Sequence, residues 1–312
     1  WSWLSPIGWY QAMHAYSGER WWPLVLLAGF TALVGVAVHA VFDRRDIGSG
    51  LWAARPGPAR ASAGLQSGLG LAWRLQRASL LGWTIGMFLL GLTFGGFGDD
   101  VESMLGDSEV SRAMFGAGGD VLLDSFYAAS SAMLAVIAAG YTVSSALRPR
   151  GEEDQGRVET LLATALPRTR WLLGHVSVTL AGTVLAVAAA GVGLGVGFGL
   201  VSGDWDRFGR LTAACLVQIP GVLVLGAVAR LLHGWLPRAA SLAWLGVIFC
   251  AVVMFFGELL DFPQWMVDIS PLTHLGSYPA SSVDWTGFAL LLAGAALASA
   301  AGLWGVTRRD VA

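Results

Sequence analysis

Lysine and asparagine are absent from this 312-residue chain, and charge of either sign is scarce, at 13% of residues. A soluble domain carries about 25%. That shortage argues against a soluble enzyme, a nucleic-acid-binding domain and a disordered chain. Without asparagine there is no N-glycosylation sequon, and all 19 basic residues are arginine. Without lysine the stretch holds no Gly-x-x-x-x-Gly-Lys loop, whose lysine reaches nucleotide phosphates. The two cysteines, Cys215 and Cys250, lie in apolar runs, so no disulfide framework or cysteine metal site is offered. Neither His-Glu-x-x-His nor Gly-x-Ser-x-Gly occurs, and no two histidines have metal-ligand spacing. No catalytic residue and no metal ligand is therefore expected. A net charge of -2 points to no strongly charged partner, nucleic acid included.

What is abundant is apolar: 55% of residues are hydrophobic and the mean hydropathy is +0.62. Seven stretches are long enough to cross a bilayer core, which takes about 20 apolar residues. They are Leu24–Phe42, Ala78–Phe97, Val121–Leu147, Trp171–Val201, Leu211–Ala229, Ala239–Gly257 and Thr286–Val306. Barrel strands alternate over about ten residues, and these runs do not. The expected fold is all-α, a polytopic transmembrane helix bundle with seven spans. The two longest windows exceed what a span needs, so they tilt or continue past the bilayer surface.

Arginine sets the orientation. With Arg308 and Arg309 in the cytoplasm, alternating loops sort 15 arginines inside and four (Arg20, Arg112, Arg207, Arg210) outside. Asp99, Asp100, Glu102, Asp107, Glu109, Glu258, Asp261, Asp268 and Asp284 then all fall outside. The expected location is a bacterial plasma membrane, multi-pass, with the C-terminus cytoplasmic.

The chain also repeats itself. Ser5-Pro6-Ile7, a loop with Trp21 and Trp22, a span and Arg44-Arg45-Asp46-Ile47 match Ser270-Pro271-Leu272, a loop with Trp285, a span and Arg308-Arg309-Asp310-Val311. The offsets are 265 and 264 residues. Both copies of the span run the same way, so the repeat is parallel. Residues 1–47 thus read as the tail of a first membrane half. Residues 48–77 read as a cytoplasmic linker, rich in Gly, Ala, Ser and Pro, followed by an interfacial helix. Residues 78–312 read as a complete six-span second half. A repeat of this period predicts about 220 further residues in front and about twelve spans in all.

The most informative loop runs from Gly151 to Trp171. Val158, Leu161, Leu162, Ala165 and Leu166 form an amphipathic helical stripe. Acids crowd its start, Glu153 and Arg157 are spaced to pair at i, i+4, and Pro167 ends it. Arg168, Arg170 and Trp171 then anchor the next span at the interface.

The run from Glu152 to Trp171 resembles the first cytoplasmic loop of ABC-2-type ABC transporter permeases. It is most similar to the actinobacterial branch of exporters of polyketide antibiotics and drugs. The shared features are an acidic pair, Gly-Arg-x-Glu and a Leu-Leu-Ala-Thr core. The exit differs, because Ala165-Leu166-Pro167 stands where the family more often has proline directly after that core. The segment Phe262–His274 and the closing Arg-Arg-Asp-Val resemble the family too. The resemblance implies that this loop is a coupling helix docked on a separate ABC ATP-binding subunit, itself a dimer. Glu152, Glu153, Arg157, Glu159, Leu161 and Leu162 would make that contact. ATP and Mg would be bound by the partner, and no cofactor by this chain. The further partners implied are the first half of the permease and membrane lipid.

Some polar groups in or near the spans carry a possible role. Asp124, Phe126, Tyr127 and Ser130 suit the lining of an outer vestibule. Met254, Phe255, Phe256 and Glu258 suit an apolar substrate path, where Met and Phe adapt to varied ligands. Arg230 and His233 sit at an inner helix end and are expected to snorkel. Gly191, Gly193, Gly195, Gly197 and Gly199 alternate, so only some share one helix face. The loop 258–285 is too apolar to be free and predicts short helices at the outer surface.

The resulting expectation is a non-enzymatic permease subunit of an ATP-driven exporter of hydrophobic or amphipathic small molecules. The alternatives are an ABC permease for lipid or glycan, an ion-coupled transporter and an intramembrane enzyme. The last two normally need acids or paired catalytic groups at membrane depth. The central thirds of the spans hold no Asp, Glu or Arg.

Overall fold

The computed structural model describes residues 3, 5–14, 18–44, 63–97 and 119–309. The outer acids between Asp99 and Glu109, Arg112, the linker up to residue 62, Arg45-Asp46-Ile47 and Asp310-Val311 lie outside the described residues. The chain divides into two units, Trp1–Arg60 and Ala61–Ala312.

The first unit contains α1 (Pro6–Gln11) and α2 (Pro23–Asp43). The Ser5 side chain caps α1 by accepting from the Ile7 amide at 3.3 Å. Trp9 meets Phe30 edge-on at 5.9 Å, so the short helix packs on the long one.

The second unit contains α3 (Gly68–Gly96), α4 (Gly119–Ala146), α5 (Arg148–Asp154), α6 (Arg157–Leu162), α7 (Arg168–Ser202), α8 (Phe208–Val217), α9 (Ile219–Trp235), α10 (Ala243–Phe256), α11 (Gln264–Val267) and α12 (Trp285–Arg308). No strand occurs among the described residues. Seven helical stretches are long and apolar enough to cross a membrane, and each contains or overlaps one expected window. The fold is the expected all-α polytopic bundle. The 35 residues of α7 reach about 52 Å at 1.5 Å per residue, well beyond a hydrocarbon core.

Local chemistry sets the breaks. Pro220 has no N–H to bond one turn back, and α8 and α9 part at Gln218 within a single span. The Asp284 carboxylate caps α12 by accepting from the amides of Thr286 and Gly287 at 2.9 and 3.0 Å. Leu71–Leu81, expected either as an interfacial helix or as an N-terminal extension of the span, lies in the same continuous helix as the span, α3. The reason is packing: α3 lies against α7 along its whole length. Each Ser-Pro pair of the repeat opens a helical turn with proline at its start, at Pro6 and at Pro271.

The α3–α7 contact is made backbone to backbone. A Cβ at Gly91 would stand 2.1 Å from the Ala190 carbonyl, and one at Gly193 would stand 2.2 Å from the Phe88 carbonyl. Without a hydrophobic drive between helices in lipid, close packing of small residues holds such pairs together. The alternating glycines resolve into two faces. Gly193 and Gly197 meet α3, while Gly191 and Gly195 meet Thr212 and Phe208 of α8. Residues two apart lie about 200° apart around a helix, so alternation serves two neighbours at once. A second seam joins α9 to α12, where Gly234 faces the Gly302 carbonyl and Gly302 faces that of Arg230.

One cluster of buried side chains fills the space among α3, α4, α7 and α8, with Met87, Tyr127, Leu134, Tyr141, Leu194 and Phe198. Another lies among α4, α9 and α10, with Val143, Val222, Leu225 and Cys250.

Gly193→Leu is expected to prevent the α3–α7 approach and to remove most folded protein from a detergent size-exclusion profile. Gly294→Leu, at a glycine with open space around it, is expected to leave the profile unchanged.

Candidate functional site

The loop between the two longest spans is built from two short helices, not one. Gly156 adopts φ +67°, which glycine accepts without strain, and separates α5 from α6. The helix expected to run on to Leu166 ends at Leu162. Its apolar stripe is spent within the chain: Val158, Leu162 and Leu166 pack against Trp171 and Leu172 of α7 and Leu303 and Val306 of α12.

Two acids of the loop, Glu152 and Glu153, also face inward. The Glu152 carboxylate, 3% exposed, is held by Arg157 Nε at 2.5 Å and Arg148 Nε at 3.4 Å. Glu153, 8% exposed, is held by Arg309 Nη2 at 2.5 Å and faces His233 Nε2 at 3.4 Å. The expected Glu153–Arg157 pair is therefore replaced. The turn at Gly156 swings Arg157 to Glu152, and Glu153 reaches across to the ends of α9 and α12. The Glu152 hydrogen bond holds the Arg157 guanidinium above its ordinary pKa. Arg168, at the start of α7, donates to the Arg309 carbonyl at 3.1 Å. The loop is thus tied to the ends of four spans. Arg157, Glu159, Thr160, Ala163 and Thr164 are exposed, and Leu161 is half-buried.

Above this knot runs a polar column that the sequence reading missed. The Ser145 hydroxyl donates to Gln76 Oε1 at 2.5 Å, and Gln76 Nε2 lies 3.1 Å from His175 Nδ1. Ser145 also meets Thr179, and Thr142 meets Thr183, both at 2.8 Å. These bonds join α3, α4 and α7 where lipid offers no partner. The legible signal was the spacing of His175, Thr179 and Thr183, four residues apart and hence on one face.

At the other end of the bundle, Asp124 is buried and paired with Arg210 Nη2 at 2.8 Å and Arg207 Nη1 at 3.3 Å. Arg210 also donates to the Pro279 carbonyl at 2.8 Å, tying the loop before α12 to α4 and α8. Tyr127 is fully buried and donates to the Gly95 carbonyl at 2.9 Å. Ser130 is buried and bonds back to the Phe126 carbonyl, and the half-buried Phe126 packs on Tyr127. The proposed vestibule residues therefore spend their polar atoms inside the protein. The physical reason is that a short-stemmed carboxylate at a helix start is neutralised once α8 delivers two arginines to it.

A cavity of about 440 Å³ opens at this same end. Met254 and Glu258 line it, with Asp261, Phe262, Ser270 and Leu272. Its size falls in the range of drug-sized ligand pockets, roughly 300–1,000 Å³. Phe255 and Phe256, expected beside Met254, are exposed on the outer surface of α10. Residues one or two apart on a helix do not share a face. The apolar loop 258–285 does form short helical turns, Gln264–Val267 and Pro271–Leu275. Arg230 and His233 do not snorkel: they are 6% and 3% exposed, because α12 covers them.

The family described as the C-terminal domain of the multidrug efflux system permease Rv1217c matches residues 65–306. The multidrug efflux system permease protein Rv1217c of Mycobacterium tuberculosis (strain ATCC 25618 / H37Rv) is 36% identical over 319 aligned residues. The alignment covers 99% of this chain and 57% of that protein, so the chain spans little more than half the length of its relative.

Glu153→Leu is expected to cost on the order of 3 kcal/mol, the low end for a broken buried pair because Arg309 keeps some contact with water. Glu159→Gln, at an exposed site, is expected to stay within about 0.5 kcal/mol. Detergent-unfolding midpoints of the two variants check the difference.

Proposed function

The chain belongs to the family of the multidrug efflux system permease Rv1217c, C-terminal domain, and on that premise we propose that it is membrane-spanning permease machinery of an ATP-driven exporter. The cargo in this reading is hydrophobic or amphipathic small molecules, moved out of the cell across a bacterial plasma membrane. The chain itself does no covalent chemistry in this reading. A separate, dimeric ATP-binding subunit hydrolyses ATP with Mg and drives it. The repeated Ser-Pro and Arg-Arg-Asp motifs support a further membrane half in the working transporter.

The observation that carries the reading is the loop 148–167. It lies between the two longest spans and is bonded to the inner ends of α9 and α12 through Glu153. A push on its exposed face would reach α9 and α12 through ion pairs and α7 through apolar packing, and not through a flexible tether. The contact with the ATPase is assigned to the outward residues Arg157, Glu159, Thr160 and Leu161. Glu152 and Glu153 act as positioning residues behind them, and Leu162 as the apolar anchor. The arginine distribution supports the cytoplasmic placement of this end, where Arg148, Arg150, Arg157, Arg168 and Arg309 gather.

The cavity under Met254 is the reading's candidate for the outward part of the substrate path. Its walls are mostly apolar, and the adaptable Met254 side chain suits varied ligands.

The test uses the full-length permease with its ATPase in membrane vesicles. Glu159→Arg with Thr160→Glu, both at exposed positions, is expected to abolish drug-stimulated ATP hydrolysis and export while permease levels stay normal. Unchanged coupling would show that the loop is not the ATPase contact. Met254→Trp, which fills the outer cavity, is expected to lower export of bulky drugs several-fold while ATPase binding is retained. Equal export by Met254→Trp and the parent would remove the cavity from the path.

A further inference from the structure

A second, much smaller cavity lies beside the ion-paired loop, lined by α4, α5, α7, α9 and α12. Its volume is about 20 Å³, room for one water-sized particle. The polar residues lining it are His175, Thr179, Arg230 and His233, and no acid lines it.

Arg230 is the unusual member. It is almost fully buried, yet no carboxylate lies within ion-pair distance among the described residues. Its Nε and Nη2 donate to Ser299 Oγ at 3.1 and 2.9 Å. Ser299 in turn donates its own proton to the Ala295 carbonyl at 2.6 Å, so it is a neutral acceptor. Arg230 Nη1 has no hydrogen-bond partner among the described residues. A buried guanidinium cannot shed its charge at cellular pH, so a missing counter-charge costs energy.

His175 supplies a second donor. Gln76 Oε1 accepts from Ser145, which leaves the Gln76 amide nitrogen to donate to His175 Nδ1. The ring proton of neutral His175 then sits on Nε2, and that nitrogen also lacks a partner. His233 Nδ1 is likewise unpartnered.

From this arrangement we infer that the cavity binds one monatomic anion, chloride in the cell. The cavity holds one particle, its fixed charge is positive, and two of its free groups, Arg230 Nη1 and His175 Nε2, donate. A water would have to place its own two hydrogens, whereas a halide accepts from every side. A carboxylate or phosphate is too large. The bound anion would neutralise Arg230 and join α7, α9 and α12 where the loop is tied down. The inference is independent of the transport reading, because it concerns the folded permease with no ATPase present.

The test is the thermal unfolding midpoint of the full-length permease in detergent, with chloride replacing gluconate at constant ionic strength. Chloride and bromide are expected to raise the midpoint in a saturable way, as any ligand of the native state does. Arg230→Met is expected to weaken the half-saturating concentration at least about tenfold, the effect of losing one hydrogen bond to a charged group. Equal midpoints in chloride and gluconate would overturn the inference and assign the cavity to water. A chloride response unchanged by Arg230→Met would overturn it by locating the anion elsewhere. Should Arg230→Met not fold, His175→Phe keeps a ring and removes the donor. It is expected to weaken chloride several-fold, and an unchanged response would again sink the proposal.

Discussion

Two helices touch backbone to backbone only where neither presents a Cβ at the point of contact. The bundle depends on this constraint at α3–α7 and again at α9–α12. In lipid the hydrophobic effect does not press one apolar helix against another, so dispersion at short range and interhelical hydrogen bonds do that work. The glycine seams bring the chains close enough for both. Once α3 lies on α7, Gln76 is within reach of Ser145 and His175, and the polar column can form. The seam of α9 with α12 likewise covers Arg230 and His233, which would otherwise extend to the membrane surface.

The ends of the bundle follow from the middle. At one end Asp124 gathers Arg207 and Arg210, and the loop at Pro279 comes with them. At the other, Glu152 and Glu153 draw in Arg148, Arg157, His233 and Arg309. Partly buried pairs of this kind are screened little by salt, so they hold position more than they attract partners. In the proposed transporter this gives the loop a stiff attachment. In that proposal the outward face is the one offered to the motor, while the inward face is bonded to the ends of α9 and α12 and packed on α7. The same arrangement leaves Arg230 buried without an acid beside it among the described residues.

Much of the fold was legible in the chain before any coordinates. A run such as Trp171–Val201 reads as a span because only a helix closes its own backbone hydrogen bonds in hydrocarbon. The stripe Val158, Leu162, Leu166 was legible as one helical face, but not what it faced, which proved to be α7 and α12 of the same chain. The outer cavity was half legible. Met254 and Glu258 line a cavity, while Phe255 and Phe256 point away from it, as 100° per residue requires. The column of Gln76, Ser145 and His175 went unread because single polar residues on three separate helices make no local pattern.

The sequence by itself determined the number of spans, the sorting of arginine toward alternate loops and the membership of a permease family. The first two are local sums of hydropathy and charge, and the third rests on short motifs such as those of Gly151–Trp171, all readable along the chain. Only the tertiary structure decided which charge meets which. Glu153 pairs with Arg309, 156 residues away, in place of Arg157 four residues on. A turn at Gly156 and the close approach of α9 to α12 set that choice. Ion pairing falls off over a few ångströms, and distances of that size between remote residues exist only once the helices have packed.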